Sequence, residues 1–104
     1  MAAPYNPPIK GQDFICRVAL TACDGTGFKA NPTIAAGDFK VDKDGGGLTN
    51  LDTIAAVDPA ASVLVKITLS ATEMNADVVT VVGIDQTSPK EWCDFVLCIP
   101  TTSA

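Results

Sequence analysis

The segment "DFKVDKDGGGLTNL" (38–51) combines three aspartates with three consecutive glycines. Phe39 and Val41 alternate with Lys40 and Asp42, which is the period of two expected for a half-buried strand. The Asp-Gly step at 44–45 supplies the positive φ angles of a primed hairpin turn, and the further glycines allow a bulge. The segment therefore predicts a β-hairpin whose aspartates face water, and it points to an all-β fold.

Two ligand-binding interpretations of the same segment fail on residue spacing. An EF-hand calcium loop needs oxygen ligands at positions 1, 3 and 5 and a glutamate at position 12. Counted from Asp42, position 5 is Gly46 and position 12 is Thr53. A phosphate-binding loop needs lysine and then serine or threonine after its last glycine, whereas Gly47 is followed by leucine. The segment predicts neither a metal site nor a phosphate site.

The rest of the chain repeats the pattern of short alternating runs. "DFICRVALTAC" (13–23), "SVLVKITLS" (62–70), "DVVTVVGID" (77–85) and "EWCDFVLCI" (91–99) are predicted strands. Ser70 followed by Glu73 fits a capping box, which predicts one short helical turn near 71–75. With turn signals between the runs and no long amphipathic helix, the fold prediction is a small immunoglobulin-like antiparallel β-sandwich of about six or seven strands. A small closed barrel is the alternative.

The 104 residues are enough for one domain. Residues 1–12 are rich in proline and are predicted to form an extended N-terminal arm, because Pro7 and Pro8 cannot donate ladder hydrogen bonds. Residues 13–100 form the predicted β-sandwich domain, and residues 101–104 form a C-terminal tail. An ordered arm would need a neighbouring subunit to pack against, which is a hint of assembly.

Composition argues against several classes of function. The net charge of −5 disfavours binding to nucleic acid and to anionic membranes. The chain has no histidine, and so lacks the commonest general base and the commonest zinc ligand. Nothing in the sequence places two carboxylates in one cleft. We therefore predict a non-enzymatic protein with no catalytic residues, metal or cofactor. The carboxylates considered for acid–base chemistry are Glu73, Asp77, Glu91 and Asp94.

The four cysteines are Cys16, Cys23, Cys93 and Cys98. Their spacing does not match the C-x-x-C pairs of a zinc ribbon. All four are candidates for disulfide formation, and the three connectivities that four cysteines allow remain open. The alternatives are that Cys16 and Cys93, both predicted on core faces, are small buried hydrophobes, or that Cys23 or Cys98 forms intermolecular bonds.

A further set of residues is predicted to contact partners. Trp92 either packs within the fold, which is the favoured interpretation, or anchors a partner, since tryptophan is enriched at interface hot spots. The arm cannot bury much surface by itself. The candidate contact residues are Tyr5, Pro7, Pro8, Ile9 and Trp92.

Four segments together resemble a group of small structural proteins of tailed bacteriophages and prophages. They are "PPIKGQDF" (7–14), "NPTIAAGDFKVDKDGGGLTNL" (31–51), "KITLSATEMNADVVTVVGID" (66–85) and "KEWCDF" (90–95). The resemblance covers nearly the whole chain, from about 7 to 99, and "GDFKVDKDGG" and "LSATEMNAD" are its most specific parts. The four cysteines are not part of the pattern that this chain shares with the group. They suggest that cysteine cross-links brace this particular protein.

The resemblance implies an immunoglobulin-like module of the virion, assembled in the host cytoplasm and exposed on the particle exterior. The first expectation is a head decoration or cement protein, present as a homo-oligomer or in many copies, that binds the major capsid protein and stabilises the assembled capsid. A tail, neck or baseplate accessory protein is the alternative. A carbohydrate-binding adsorption module ranks lower, because it needs exposed aromatic side chains and the chain has one Trp and one Tyr.

Overall fold

The computed structural model describes residues 8–102 and shows two antiparallel sheets. One sheet has the strand order β1-β5-β4, and the other has the order β3-β2-β6-β7. The prediction of an all-β, two-sheet architecture is confirmed. The strands are β1 (Phe14–Ala19), β2 (Phe39–Lys43), β3 (Leu48–Asn50), β4 (Ala56–Val57), β5 (Leu64–Leu69), β6 (Val78–Gly83) and β7 (Phe95–Pro100).

The core lies between the two sheets and is formed by the alternating residues of β5 and β6. Val65, Ile67 and Leu69 of β5 have no exposed surface, and the same is true of Val79 and Val81 of β6. Successive side chains of a strand point to opposite faces, so these two sets supply one inner face each. Both predicted strands are therefore confirmed, and each turns one face to the core.

The hairpin predicted from the opening segment is also confirmed. β2 and β3 are antiparallel, and Asp42 lies opposite Leu48. The Gly46 N–H donates to the Lys43 carbonyl oxygen at 3.0 Å, which closes a four-residue turn. Its two central residues, Asp44 and Gly45, have φ angles of 54° and 81°. Positive φ at both positions is what a type I′ turn requires.

The helical turn predicted near 71–75 is not present as a helix, and residues 8–102 contain no helix of any kind. The capping-box bonds themselves do form: the Glu73 N–H donates to Ser70 Oγ at 3.2 Å, and the Ser70 N–H donates to Glu73 Oε1 at 2.9 Å. One further bond runs from the Met74 N–H to the Ser70 carbonyl. The chain then leaves the helical path, because the Ala76 N–H turns back to the Met74 carbonyl. This hydrogen-bonded turn carries the chain from one sheet to the other.

Within residues 8–102 there is also no helix that is long and apolar enough to cross a membrane.

The last strand begins later than predicted. β7 starts at Phe95, because Trp92 forms an isolated antiparallel bridge with Ala22 instead of continuing the β6–β7 ladder. Trp92 is fully buried and Phe95 packs against the core, although the two residues are three positions apart. The alternation therefore changes phase between them. As a result Cys93, predicted on the core face, is exposed.

The N-terminal arm is partly ordered by its own chain. Ile9 forms a parallel bridge with Thr102, the Lys10 N–H donates to the Thr102 carbonyl at 2.9 Å, and the Thr102 N–H donates to the Pro8 carbonyl at 2.9 Å. The expectation that an ordered arm needs a neighbouring subunit is therefore wrong for Pro8 and Ile9. The other arm residues predicted to contact partners, Tyr5 and Pro7, lie outside the described residues.

Candidate functional site

The hairpin tip is organised by Asp42. Its Oδ2 accepts a hydrogen bond from the Gly45 N–H at 2.8 Å, and its Oδ1 accepts one from the Gly47 N–H at 2.8 Å. An aspartate that bonds to amides a few residues ahead is a recurrent device of tight turns. Both carboxylate oxygens of Asp42 are thus used in shaping the turn.

The other two aspartates of the segment serve distant parts of the fold. Asp44 accepts hydrogen bonds from the N–H groups of Val78 and Asp77, at 2.9 and 3.2 Å, and these bonds hold the pKa of Asp44 below its usual range. Asp38 is buried and accepts from the N–H groups of Ala35 and Gln86, at 2.9 and 3.1 Å. The expectation that these aspartates only face water is wrong. Their carboxylates accept hydrogen bonds from backbone amides, and the same oxygens are therefore not free to bind a ligand.

Glu73 forms a second polar cluster at the β5–β6 connection. Its side chain is buried and accepts from the Asp52 N–H at 2.9 Å as well as from Ser70. The Ser70 hydroxyl donates to Asp52 Oδ2 at 2.9 Å. This cluster joins the segment after β3 to the segment after β5, so its role is to hold two connections together.

Asp85 holds the third polar cluster, which the sequence reasoning missed. The residue is 3% exposed and accepts from the N–H groups of Thr87 at 2.9 Å and Glu91 at 2.6 Å, and from the Thr87 hydroxyl. Burial raises the pKa of Asp85, but hydrogen bonds from Thr87, Glu91 and the backbone of Trp92 outweigh it and lower that pKa. Asp85 therefore fixes the loop that delivers Trp92 to the core.

The carboxylates considered for acid–base chemistry lie in separate environments. Glu73 belongs to the cluster above, Glu91 accepts from the Thr33 N–H at 3.1 Å, Asp77 pairs with Lys10 at 3.1 Å, and Asp94 pairs with Lys90. Within residues 8–102 no group of three or more His, Cys, Asp or Glu side chains could hold a metal ion. The structure does not bring the four carboxylates together.

A shallow hollow with a cavity volume of only about 20 Å³ lies beside β2, between the connections at 34–37 and 50–55. Small-molecule sites usually occupy about 300–1,000 Å³ and carry a few convergent polar groups. The wall here is almost wholly apolar, formed by side chains such as Ile34, Phe39, Leu51 and Ile54. The hollow does not have the polar groups that would orient a small ligand.

Trp92 packs within the fold, which was the favoured alternative. It has no exposed surface, its indole N–H donates to the Thr33 carbonyl at 3.3 Å, and its ring lies 5.6 Å from that of Phe39. A side chain in this position cannot anchor a partner or stack on a sugar. Trp92 is therefore removed from the candidate contact residues.

All four cysteines, each within the described residues, are free thiols. Cys16 is half-buried on β1 and packs against the core, as predicted. Cys98 is exposed on β7, opposite Thr80 of β6. Cys23 and Cys93 are both exposed and lie beside the Ala22–Trp92 bridge.

One surface was not foreseen from the sequence: the outward side of β6 and β7, here called the β6–β7 outer surface. Val82 lies opposite Val96, and Val78 lies opposite Pro100. Val96 is 66% exposed and Val78 is 37% exposed. Among the described residues, β7 pairs along Phe95–Pro100 with β6 alone, and its other edge is occupied only just beyond the strand, where Thr102 bridges Ile9. Apolar side chains next to an open strand edge are typical of a protein-binding surface.

The chain was compared with protein-family models, curated proteins and solved structures, and none of the three comparisons found a match.

Proposed function

We propose that this chain is a non-enzymatic structural protein of a tailed-bacteriophage particle. It would act as a head decoration protein that binds the exterior of the assembled capsid. Two features support the proposal: the sequence resemblance over about 7–99, and the β6–β7 outer surface beside an open strand edge. The second feature carries the mechanism, since it gives the module a place to bind another protein.

We further propose that the sandwich is immunoglobulin-like. In that fold, strands B, E and D lie in one sheet, and strands C, F and G lie in the other, with C′ added beside C in variable-type domains. The orders β1-β5-β4 and β3-β2-β6-β7 correspond to B-E-D and C′-C-F-G if β1 is taken as B. The chain departs from antibody domains because its buried Trp92 precedes the last strand and no cysteine lies on β6.

The contact would combine strand addition with apolar burial. An open edge such as that of β7 offers backbone N–H and C=O groups to an extended segment of a partner. The neighbouring valines would then lose their exposed surface, at about 25 cal/mol per Å² of apolar area buried. The β2–β3 half of the same sheet face is mostly polar, with Lys40 Nζ bonded to Asn50 Oδ1 at 2.9 Å, although Leu48 is exposed there. This division would favour the β6–β7 half as the contact surface.

The stabilising effect would follow from mass action. A protein that binds the assembled shell, but not its free subunits, stabilises the shell by RT ln(1 + L/Kd) at each site, where L is the concentration of free protein. Contacts repeated over many symmetry-related sites would add these small contributions together. The partner is the major capsid protein in this proposal. A tail, neck or baseplate protein would use the same surface at far fewer sites.

The test uses particles that lack this protein and purified full-length chains added back to them. Val96→Lys places a charge on the β6–β7 outer surface, and Ile15→Lys places one on the outward side of β1, where Ile15 is 50% exposed. We expect wild type and Ile15→Lys to co-sediment with particles and Val96→Lys to lose at least about tenfold in affinity. Equal binding by the two variants would overturn the assignment of the surface. No binding by wild type would overturn the proposed function.

Copy number separates the two locations on the particle. Quantitative mass spectrometry of purified particles should give hundreds of copies for a head decoration protein, but only about six to twelve for a tail or baseplate protein. A truncation that removes residues 1–7 tests the arm separately. Reduced occupancy is expected if Tyr5 and Pro7 contact the shell, and unchanged occupancy would remove the arm from the proposal.

A further inference from the structure

Cys23 and Cys93 lie on either side of the bridge between Ala22 and Trp92, each one residue beyond its bridge partner. Ala22 and Trp92 are 8% and 0% exposed, so their side chains point into the core. Successive side chains of an extended chain point to opposite sides, which directs both cysteines outward. Both are exposed.

The backbone fixes the two cysteines relative to each other. The Cys23 N–H donates to the Glu91 carbonyl at 3.1 Å, and the Cys93 N–H donates to the Thr21 carbonyl at 2.8 Å. The Cys93 sulfur lies 4.0 Å from the Ala22 carbonyl oxygen, and therefore over the opposing segment. The two outward side chains lie near enough that the Cys93 thiol raises the pKa of the Cys23 thiol. The two cysteines are thus diagonal neighbours across the bridge, where Cα atoms are about 7–8 Å apart and Cβ atoms closer. A slight approach of the two segments would bring them within the range of a disulfide.

We propose that Cys23 and Cys93 form an intramolecular disulfide when the protein meets a small-molecule disulfide oxidant. The thiolate of one cysteine attacks the oxidant, forms a mixed disulfide and releases one small thiol. The thiolate of the other cysteine attacks the mixed disulfide and releases the second small thiol. Two protein thiols lose their protons and are oxidised to one disulfide, and the oxidant is reduced to two thiols.

The remaining cysteines do not compete for this bond. Cys16 lies on β1 opposite Ile67, and Cys98 lies on β7 in the other sheet. Cys16 is six residues before Ala22, and Cys98 is five residues after Cys93. At the rise of an extended chain these separations correspond to spans of up to about 20 Å and about 17 Å. A disulfide needs Cα atoms within about 7 Å of each other.

The protonation of Cys23 makes the oxidation slow at neutral pH. Partial desolvation raises the pKa of the Cys23 thiol, and the neighbouring Cys93 thiol raises it further. Lys90 acts in the opposite direction and Asp85 in the same direction as Cys93. Only the thiolate attacks a disulfide, so the rate should rise about tenfold per pH unit below this pKa. The bond would therefore form over long exposure to an oxidising medium.

The cross-link would close the chain between 23 and 93 into one covalent ring around the core. It would join the β1–β2 connection to the entry of β7, on both sides of the buried Trp92. A disulfide that closes a long loop typically lowers the population of unfolded chains about 30- to 1,000-fold. Such bracing is independent of which surface binds a partner.

The experiment incubates the purified full-length protein with glutathione disulfide at pH 7 and pH 9, followed by alkylation and mass spectrometry. Wild type and the Cys16→Ser/Cys98→Ser control should each lose two free thiols without adding glutathione, and faster at pH 9. Cys23→Ser and Cys93→Ser should not form the internal bond. In the control, trypsin should yield the 18–29 peptide linked to the 91–104 peptide, which identifies the two sulfurs directly.

Three results would overturn the proposal. They are a stable glutathione adduct on Cys23 or Cys93 in the control, disulfide-linked dimers as the main product, and four unreacted thiols at pH 9. Circular dichroism of both single variants checks that they fold, as expected for exposed positions. Particle binding by the oxidised and reduced proteins is measured in parallel. Disulfide formation and particle binding are separate measurements, so a negative result for one does not decide the other.

Discussion

Asp44 and Val78 are joined by a reciprocal pair of hydrogen bonds across 34 residues of chain. The Asp44 N–H donates to the Val78 carbonyl at 3.0 Å, and the Val78 N–H donates to Asp44 Oδ1 at 2.9 Å. β2 and β6 pair from Phe39 and Gly83 to Lys43 and Val79. Asp44 therefore extends this ladder by one step at the point where the β2 backbone turns away into the hairpin.

Asp44→Ala should lower the urea midpoint of unfolding at pH 7, because it leaves the Val78 and Asp77 amides without their acceptor. The pKa of Asp44 is lowered in the fold, so its contribution to stability is present above its unfolded pKa of about 3.9. That contribution is lost as the pH falls through the lower native pKa. The difference in midpoint between wild type and variant should therefore shrink below about pH 4.

The matched control is Asp13→Ala, which removes an exposed carboxylate just before β1. Its midpoint should stay close to that of wild type at every pH. Equal midpoints for the Asp44 and Asp13 variants at pH 7 would contradict the structural role assigned to Asp44.

Local sequence patterns predicted two kinds of strand: those that pair with a neighbour in the chain, and those whose two faces differ strongly in polarity. Val65 and Ile67 alternate with Leu64 and Lys66, and this contrast sufficed to assign the inner face of β5. The phase change between Trp92 and Phe95 could not be predicted in the same way. It depends on the bridge to Ala22, which is distant in sequence and leaves no mark on the residues around Trp92.

The same difference between local and distant partners decides which polar and apolar sites could be predicted from the sequence. The Asp42 turn could have been recognised from an aspartate followed by glycine three residues later. The partners of Asp44 and Asp85 could not, because their amides belong to other segments. The β6–β7 outer surface did have a signal: β6 reads "VVTVVG", with valines on both faces. A strand with one face in water would show polar residues at every second position.

Glu73→Ala should destabilise the fold by about 2–4 kcal/mol, because it leaves the buried N–H groups of Ser70 and Asp52 unpaired. Glu73→Gln keeps one acceptor oxygen and should cost about 1–2 kcal/mol. Urea unfolding followed by circular dichroism measures both values. A glutamine variant that is no better than the alanine variant would contradict the hydrogen-bond explanation.

Trp92 is the single tryptophan and provides a direct probe of the core. Its emission should be blue-shifted in the native state and shift to the red on unfolding, because the indole has no exposed surface. Trp92→Phe should cost about 1–3 kcal/mol, since it removes the bond to the Thr33 carbonyl and some volume. Trp92→Ala should cost about 3–5 kcal/mol. Native emission like that of free tryptophan would contradict this placement.

Gly83 is required by the ring of Phe95, which lies directly across from it on β7. A Cβ atom at position 83 would lie 2.1 Å from Phe95 Cε1 and 2.6 Å from Cδ1, far inside contact distance. The ring cannot move freely, because it also packs edge-on against Phe39 with 5.4 Å between centroids. Gly83→Ala should therefore cost about 1–3 kcal/mol, the usual range for overpacking.

A double-mutant cycle isolates this clash from the general effect of replacing a strand glycine. In the Phe95→Ala background the obstructing ring is gone, so Gly83→Ala should be close to neutral or slightly stabilising. The coupling between positions 83 and 95, measured by urea unfolding, should be at least about 1 kcal/mol. Equal costs in the two backgrounds would mean that the ring does not restrict position 83, and that the backbone of β6 itself requires glycine there.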